Sequence, residues 1–139
     1  MTSESSLALD TSAAIPLLVA SHPEHRAVTA WAHGRSLSLC GHAHAETYAV
    51  LTRLPGDARV RAEDAVLLMD DNFEPPLLLS ARATRSAHRE LARHGVTGGA
   101  TYDGMVALAA RDHKATLVTR DARARSTYEV LRVPVQLLG

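Results

Sequence analysis

Leu7-Ala8-Leu9-Asp10-Thr11-Ser12 and, far downstream, Ala115-Thr116-Leu117-Val118-Thr119-Arg120-Asp121 share one pattern: a short apolar run that closes on an aspartate. A carboxylate at the end of a buried strand is costly unless something compensates it. Working outward from these two runs, short apolar clusters alternate with longer stretches of helical spacing. Strands are expected at 7–9, 37–40, 77–79, 115–119 and 133–137. Helices are expected at 12–18, from Pro23 to about Gly34, and at 43–54, 62–69, 81–94, 102–113 and 122–130. Pro16 is expected near the first turn of its helix, and Pro55-Gly56-Asp57 and Pro75-Pro76 mark breaks. Five strands separated by helices predict an α/β fold whose parallel sheet is covered on both faces, in the order 3-2-1-4-5. No repeat, linker or low-complexity tract divides residues 1–139, so a single domain is expected.

Composition narrows the function. Apolar residues make up 46% of the chain, in the globular range, so disorder is not expected. Cys40 is the only cysteine, which rules out an internal disulfide and fits a reducing, cytoplasmic setting. Residues 1–6 carry Glu4 and no basic residue, so no secretory leader is expected, and Asp10 and Pro16 interrupt the apolar run that follows. Zero net charge argues against a general nucleic-acid coat. The charge is nonetheless divided: residues 1–79 hold 5 Arg against 10 acids, a net −5, and residues 80–139 hold 10 Lys/Arg against 5 acids, a net +5. All but Lys114 of the Lys/Arg side chains are arginine, whose planar fork suits phosphate.

In open parallel sheets, sites form at the carboxyl ends of strands near a reversal of strand order. The order 3-2-1-4-5 makes the first and fourth strands neighbours there, so Asp10 and Asp121 should face each other. Asp103 has Val106, Ala107 and Ala110 at i+3, i+4 and i+7, which puts it beside the buried face of its helix. Asp112, nine residues on, should point to solvent. Glu46 also borders the buried face, with Ala49 and Val50 at i+3 and i+4. Taken singly, a strand-end aspartate is often just a helix cap. Taken together, two carboxylates about 6 Å apart repel by roughly 3 kcal/mol at an effective dielectric of about 20. Four in one pocket call for protons or a divalent cation, and hard carboxylate oxygens select magnesium or manganese.

Leu9-Asp10-Thr11-Ser12-Ala13, Ala45-Glu46-Thr47-Tyr48, Tyr102-Asp103-Gly104-Met105-Val106-Ala107-Leu108-Ala109 and Leu117-Val118-Thr119-Arg120-Asp121 resemble, in that order, the motifs of the PIN-domain ribonucleases. The chain looks most like the VapC toxins of type II toxin–antitoxin pairs, along nearly its whole length. The resemblance implies one PIN-like domain and hydrolysis of an RNA phosphodiester with Mg2+ or Mn2+ as cofactor. It implies Asp10 and Asp103 as direct ligands and Asp121 as a ligand to a second ion or a group behind the first. Glu46 would position water or metal, and Ser12 and Thr119 would hydrogen-bond the carboxylates. It also implies an RNA substrate, a small VapB-like antitoxin whose arginine reaches the pocket, and a homodimer. The apolar helices near Trp31 and Met69 are the expected antitoxin groove.

Other signals are weaker. The eight histidines contain no H-E-x-x-H, and neither His22/His25 nor His42/His44 has a further ligand near in sequence. A surface contact is expected between His42 and Glu46. Trp31 reads as core, because aromatics total only 4% and give little support to base stacking. Cys40 reads as buried. Arg82, Arg85, Arg89 and Arg120 are solvated positions that could grip phosphate. Two rival functions compete. One is a phosphatase that forms an aspartyl-phosphate on Asp10, although the second acid such enzymes use is here Ser12. The other is a non-catalytic module that binds RNA or a protein partner, which would favour cations over four acids at the site.

Overall fold

Four of the short apolar runs pair into one sheet. In the computed structural model, which describes residues 6–139, β1 (Leu7–Leu9) lies between β2 (Leu37–Leu39) and β3 (Thr116–Thr119), and β4 (Val135–Leu137) closes the far edge. The first five residues, over which no leader was expected, lie outside the described residues. All pairings are parallel, with Leu9 opposite both Leu39 and Val118. The backbone N–H of Asp10 donates to the Val118 carbonyl at 3.2 Å, so the carboxylate emerges where the ladder ends.

Four strands form where five were expected. The 77–79 run reaches the outer edge of β2 only as a bridge between Leu77 and Cys40, and Leu78 is 54% exposed. The cause lies in the preceding residues. Pro75 and Pro76 have no N–H to donate. The donors from this segment to Leu37 and Leu39 are therefore Glu74 and Leu77, three residues apart against acceptors two apart. That mismatch prevents a regular ladder, and the Leu78 carbonyl bonds instead to the His113 ring at 2.7 Å. The order of the expected strands is otherwise the one observed.

The helices are α1 (Thr11–Leu18), α2 (His25–Ala32), α3 (Ala43–Arg53), α4 (Ala62–Asn72), α5 (Ala81–Arg93), α6 (Ala100–Asp112) and α7 (Ala122–Val130). Pro16 falls in the second turn of α1, not the first, and α1 ends two residues later. Helix α2 starts beyond Pro23, with Glu24 as its N-cap, and α6 starts two residues before the expected Tyr102. The sheet is buried on both faces. Ala8, Cys40 and Leu117 point into a core built with α5, α6 and α7. Leu9, Leu37, Leu39 and Val118 point the other way, against α1 and α4. The period-2 alternation thus separates two apolar cores, as helices on both faces of a parallel sheet require.

Two close contacts position α6. A Cβ on Gly104 would lie 2.5 Å from Leu91 Cδ2 of α5, so the missing side chain sets how near the two helices pack. Arg111 then ties the helices together: it donates to both oxygens of Glu90, to Oε2 at 2.6 Å, and to the Leu131 carbonyl at 3.1 Å. The guanidinium holds the Glu90 carboxyl below the usual carboxylate range. At the other end, Gly41 follows β2 with φ +54°, and a Cβ there would meet the Met105 carbonyl at 2.9 Å and Ala109 Cβ at 3.1 Å. This contact brings the start of α3 against α6.

Gly41→Ala should therefore cost about 2 kcal/mol or more, since it combines a left-handed backbone with overpacking. Gly34, at φ +77° with nothing within 4 Å, has only the conformational term, and Gly34→Ala should cost about 1 kcal/mol. Urea unfolding of the two variants checks this; equal losses would rule out the proposed close packing at Gly41.

Candidate metal centre

The four acids share one structural position. Asp10 is the N-cap of α1 and Asp121 the N-cap of α7. Glu46 lies in the first turn of α3 and Asp103 in the first turn of α6. The parallel strands β1, β2 and β3 end at one edge of the sheet, where the chain enters α1, α3 and α7, and α6, which leads back into β3, starts on the same side, so these four helix N-termini collect there. Each contributes partial positive charge and unpaired N–H groups, worth about 0.3–1 kcal/mol to a nearby anion. Asp10, Glu46, Asp103 and Asp121 line a single open cavity of about 300 Å³, together with Thr11, Ser12, Ile15, Pro16, His22, Val106 and Tyr128. Asp112 is exposed on the same helix as Asp103, as its spacing predicts.

Asp10 is only 5% exposed and its carboxylate receives three hydrogen bonds. Oδ1 accepts from Ser12 Oγ at 2.6 Å and from the Ala13 N–H at 3.2 Å, and Oδ2 accepts from the Tyr128 hydroxyl at 2.7 Å. The cap and the site are therefore the same residue in the same conformation. Donor accounting also orients the hydroxyls. Ser12 spends its one hydrogen on Asp10 and accepts the Arg120 N–H at 2.8 Å. The 3.2 Å contact between Ser12 and Thr119 must then have Thr119 as donor, and Thr119 in turn accepts the Asp121 N–H at 3.0 Å. One directed chain runs from the Asp121 backbone through Thr119 and Ser12 to Asp10. Asp121 is exposed, and its Oδ1 is occupied by the Arg123 N–H at 2.9 Å.

The acids act on one another. The Asp103 carboxyl is pushed up by burial first, then by the charges of Asp10, Asp121 and Glu46, with His42 opposing. The His42 ring lies against Tyr102, ring centroids 4.8 Å apart, and the His42 carbonyl accepts the Glu46 N–H at 3.0 Å, but no side-chain hydrogen bond or ion pair joins the two among the described residues. Cys40 is fully buried, its Sγ 3.7 Å from the Leu9 carbonyl, and burial pushes its thiol up, out of nucleophile range.

Three contributors were not read from the sequence. Tyr128 is completely buried under Asp10, and burial followed by the Asp10 charge pushes its phenol up, so it stays a donor. Its signal was available, because it lies seven residues, two helical turns, beyond Asp121. His22 occupies the turn between α1 and α2 and had no such signal. Thr11 meets buried Thr47 at 3.3 Å and so ties the start of α1 to the helix that carries Glu46. Of the expected groove residues, Met69 is buried and Trp31 is half-buried against the α1/α4 core, with Arg35 over its ring at 5.2 Å. The exposed apolar residues between α3 and α4 are Tyr48, Val66 and Leu67.

Residues 7–130 match the PIN domain. The chain belongs to the PIN-domain family. Within it the chain is a VapC-type member: it is 57% identical over 129 residues to Ribonuclease VapC27 of Mycobacterium tuberculosis, covering 93% of this chain and 94% of that one. It is 44% identical to Ribonuclease VapC40 of the same organism, over 95% and 98% of the two chains. The fold superposes on VapC20 of M. tuberculosis, described as a sarcin-ricin loop cleaving toxin, with a TM-score of 0.65 and 19% identity over 87% of this chain and 94% of that one. It also superposes on VapBC2 of Rickettsia felis bound to promoter DNA, with a TM-score of 0.64 and 16% identity over 96% and 98%.

Removing the Tyr128 hydroxyl should cost about 1.5–3 kcal/mol, the worth of a buried hydrogen bond to a charged group; a Tyr128→Phe variant within about 0.5 kcal/mol of the parent in urea unfolding would show the bond to be dispensable. The raised Asp103 carboxyl gives a second expectation. Between the ordinary aspartate value and the raised one, the folded state binds more protons than the unfolded state, so ionised Asp103 lowers stability at neutral pH. In chelator at pH 7, Asp103→Asn should raise Tm, and the gain should shrink as pH falls toward the ordinary aspartate range. A lower Tm in the variant would contradict this reading.

Proposed function

We propose that this chain is a magnesium- or manganese-dependent endoribonuclease, the toxin of a toxin–antitoxin pair. The observation that carries the reading is the convergence of Asp10, Glu46, Asp103 and Asp121 on one cavity in a chain whose curated relatives are named ribonucleases. The donor set suits a hard dication. It is all oxygen, and the Asp103 carboxyl is pushed up by burial and then by the charges of the other three acids, which a cation would offset. Among the described residues no three Asp, Glu, His or Cys side chains are gathered into a ready-made ligand shell. Direct ligation by one or two carboxylates, with water completing the shell, is the habit of magnesium. Asp10 and Asp103 are the proposed ligands. Asp10 Oδ1 already takes two donors, so the lone pair left on Oδ2 is the one that would face the ion. Asp121 would hold a second ion or act through water.

When bound, the ion supplies Lewis-acid polarisation of a phosphoryl oxygen and eases deprotonation of water. The rest falls to the protein. Ser12, Ala13 and Tyr128 fix the Asp10 carboxylate, and the Thr119–Ser12 chain keeps its orientation while substrate exchanges. Glu46 is half-buried and lines the cavity, where it would position the attacking water and receive its proton. In-line attack would expel the 3′ oxygen and leave a 5′-phosphate and a 3′-hydroxyl. Arg82, Arg85 and Arg89 on exposed positions of α5, with Arg120 beside the site, would grip flanking phosphates of a tRNA, rRNA or mRNA.

The partners follow the same reading: a small VapB-like antitoxin whose arginine enters the acidic cavity, and a second copy of this chain in a homodimer, in the cytoplasm with the RNA. No helix among the described residues is long and apolar enough to cross a membrane. The phosphatase alternative is disfavoured by the surroundings of Asp10, since a buried carboxylate holding three donors makes a poor nucleophile.

Asp10→Asn should lower Mg2+-dependent RNA cleavage at least about a hundredfold, roughly 2.7 kcal/mol in barrier, while circular dichroism is retained. A folded Asp10→Asn protein with unchanged cleavage would remove Asp10 from the metal centre. RNA retention without cleavage by the parent protein, with or without Mg2+, would favour the binding-module alternative.

A further inference from the structure

His22 lines the acidic cavity, yet it comes from a turn and not from a strand end or helix start. Three contacts build that turn. His22 precedes Pro23, which restricts its backbone to extended conformations. Its Nδ1 accepts the Glu24 N–H at 3.0 Å, closing a two-residue side-chain turn. The next histidine, His25, bonds through Nδ1 to the Pro16 carbonyl at 2.8 Å, joining the turn to the end of α1 whose Pro16 lines the same cavity.

The Glu24 contact determines the tautomer. Nδ1 accepts a backbone N–H, so it carries no hydrogen of its own, and the neutral ring must carry its hydrogen on Nε2. Doubly protonated imidazole would set two N–H groups against each other. His22 therefore offers one fixed donor, Nε2–H. An RNA phosphate entering a cavity lined by four carboxylates needs hydrogen-bond donors that are not already engaged. The lining side chains provide few: the Ser12 and Tyr128 hydroxyls are spent on Asp10, and Thr11 faces Ala43 and Thr47.

We propose that His22, through Nε2–H, binds a non-bridging oxygen of the scissile RNA phosphate at the acidic cavity. This deepens the nuclease reading and rests on it. Proton transfer is not involved; the histidine supplies a hydrogen bond.

The test measures kcat and KM for Mg2+-dependent cleavage of a single-stranded RNA by the parent protein, His22→Ala and His22→Gln, with Mn2+ affinity measured in parallel by electron paramagnetic resonance. His22→Ala should lose about tenfold or more in kcat/KM at unchanged Mn2+ affinity. His22→Gln, which restores an N–H donor, should recover part of that loss. Nitrogen-15 spectra of the free parent protein should show the hydrogen of His22 on Nε2. Parent cleavage with both variants within about twofold (~2) of it would overturn the role of His22 and leave the nuclease intact. Loss of Mn2+ affinity in step with activity would also overturn it, making His22 part of the metal centre. Absence of cleavage by the parent would remove the nuclease reading and this proposal with it.

Discussion

Mutual repulsion among four carboxylates is the constraint around which this molecule is arranged. Asp10, Glu46, Asp103 and Asp121 line one cavity, where burial first and then the charges of the other three push the Asp103 carboxyl up. The fold offsets that repulsion in two ways. Every acid stands at the start of a helix, where unpaired N–H groups and the helix dipole favour negative charge. The most buried one, Asp10, also receives three donors, one from a tyrosine with no exposed surface. Neither removes the excess charge, and this is the physical ground on which a bound cation is proposed.

The topology makes the arrangement possible. Parallel strands share a carboxyl edge, where the connections after β1, β2 and β3 enter helices and where α6, which returns to β3, begins. Strand register places Asp10 beside Thr119, from which a serine–threonine relay reaches the Asp121 backbone. On the other side, Gly41 lets the start of α3 rest against α6, bringing Glu46 and Asp103 to the same cavity. Positioning therefore rests on backbone geometry and small side chains, while the acids themselves remain available to ligands.

Parts of this were legible in the residues alone. The apolar runs ending at Asp10 and Asp121 mark a strand followed by a helix start, because a short buried run followed by a capping residue has few other solutions. Asp103 and Asp112 could be separated because helical periodicity sends them to different faces. The 77–79 run was misread as a full strand, since its apolar composition suits a sheet edge but the two prolines before it cannot supply donors in register. The helices near Trp31 and Met69 were expected to form a groove; Met69 itself is buried, yet it lines a cavity with His44, Ala45, Tyr48 and Val66 of α3 and α4.

What the amino-acid sequence determined by itself was local and periodic: where strands stop, which helix faces are apolar, and which acids stand at element boundaries. These follow from backbone sterics and burial over a few residues. Only the tertiary structure decided that Tyr128 donates to Asp10, that the hydroxyl chain runs one way, and that a histidine from the α1–α2 turn enters the cavity. Those contacts join residues far apart in the chain, and their identity depends on angles and distances between packed elements, which no spacing rule encodes.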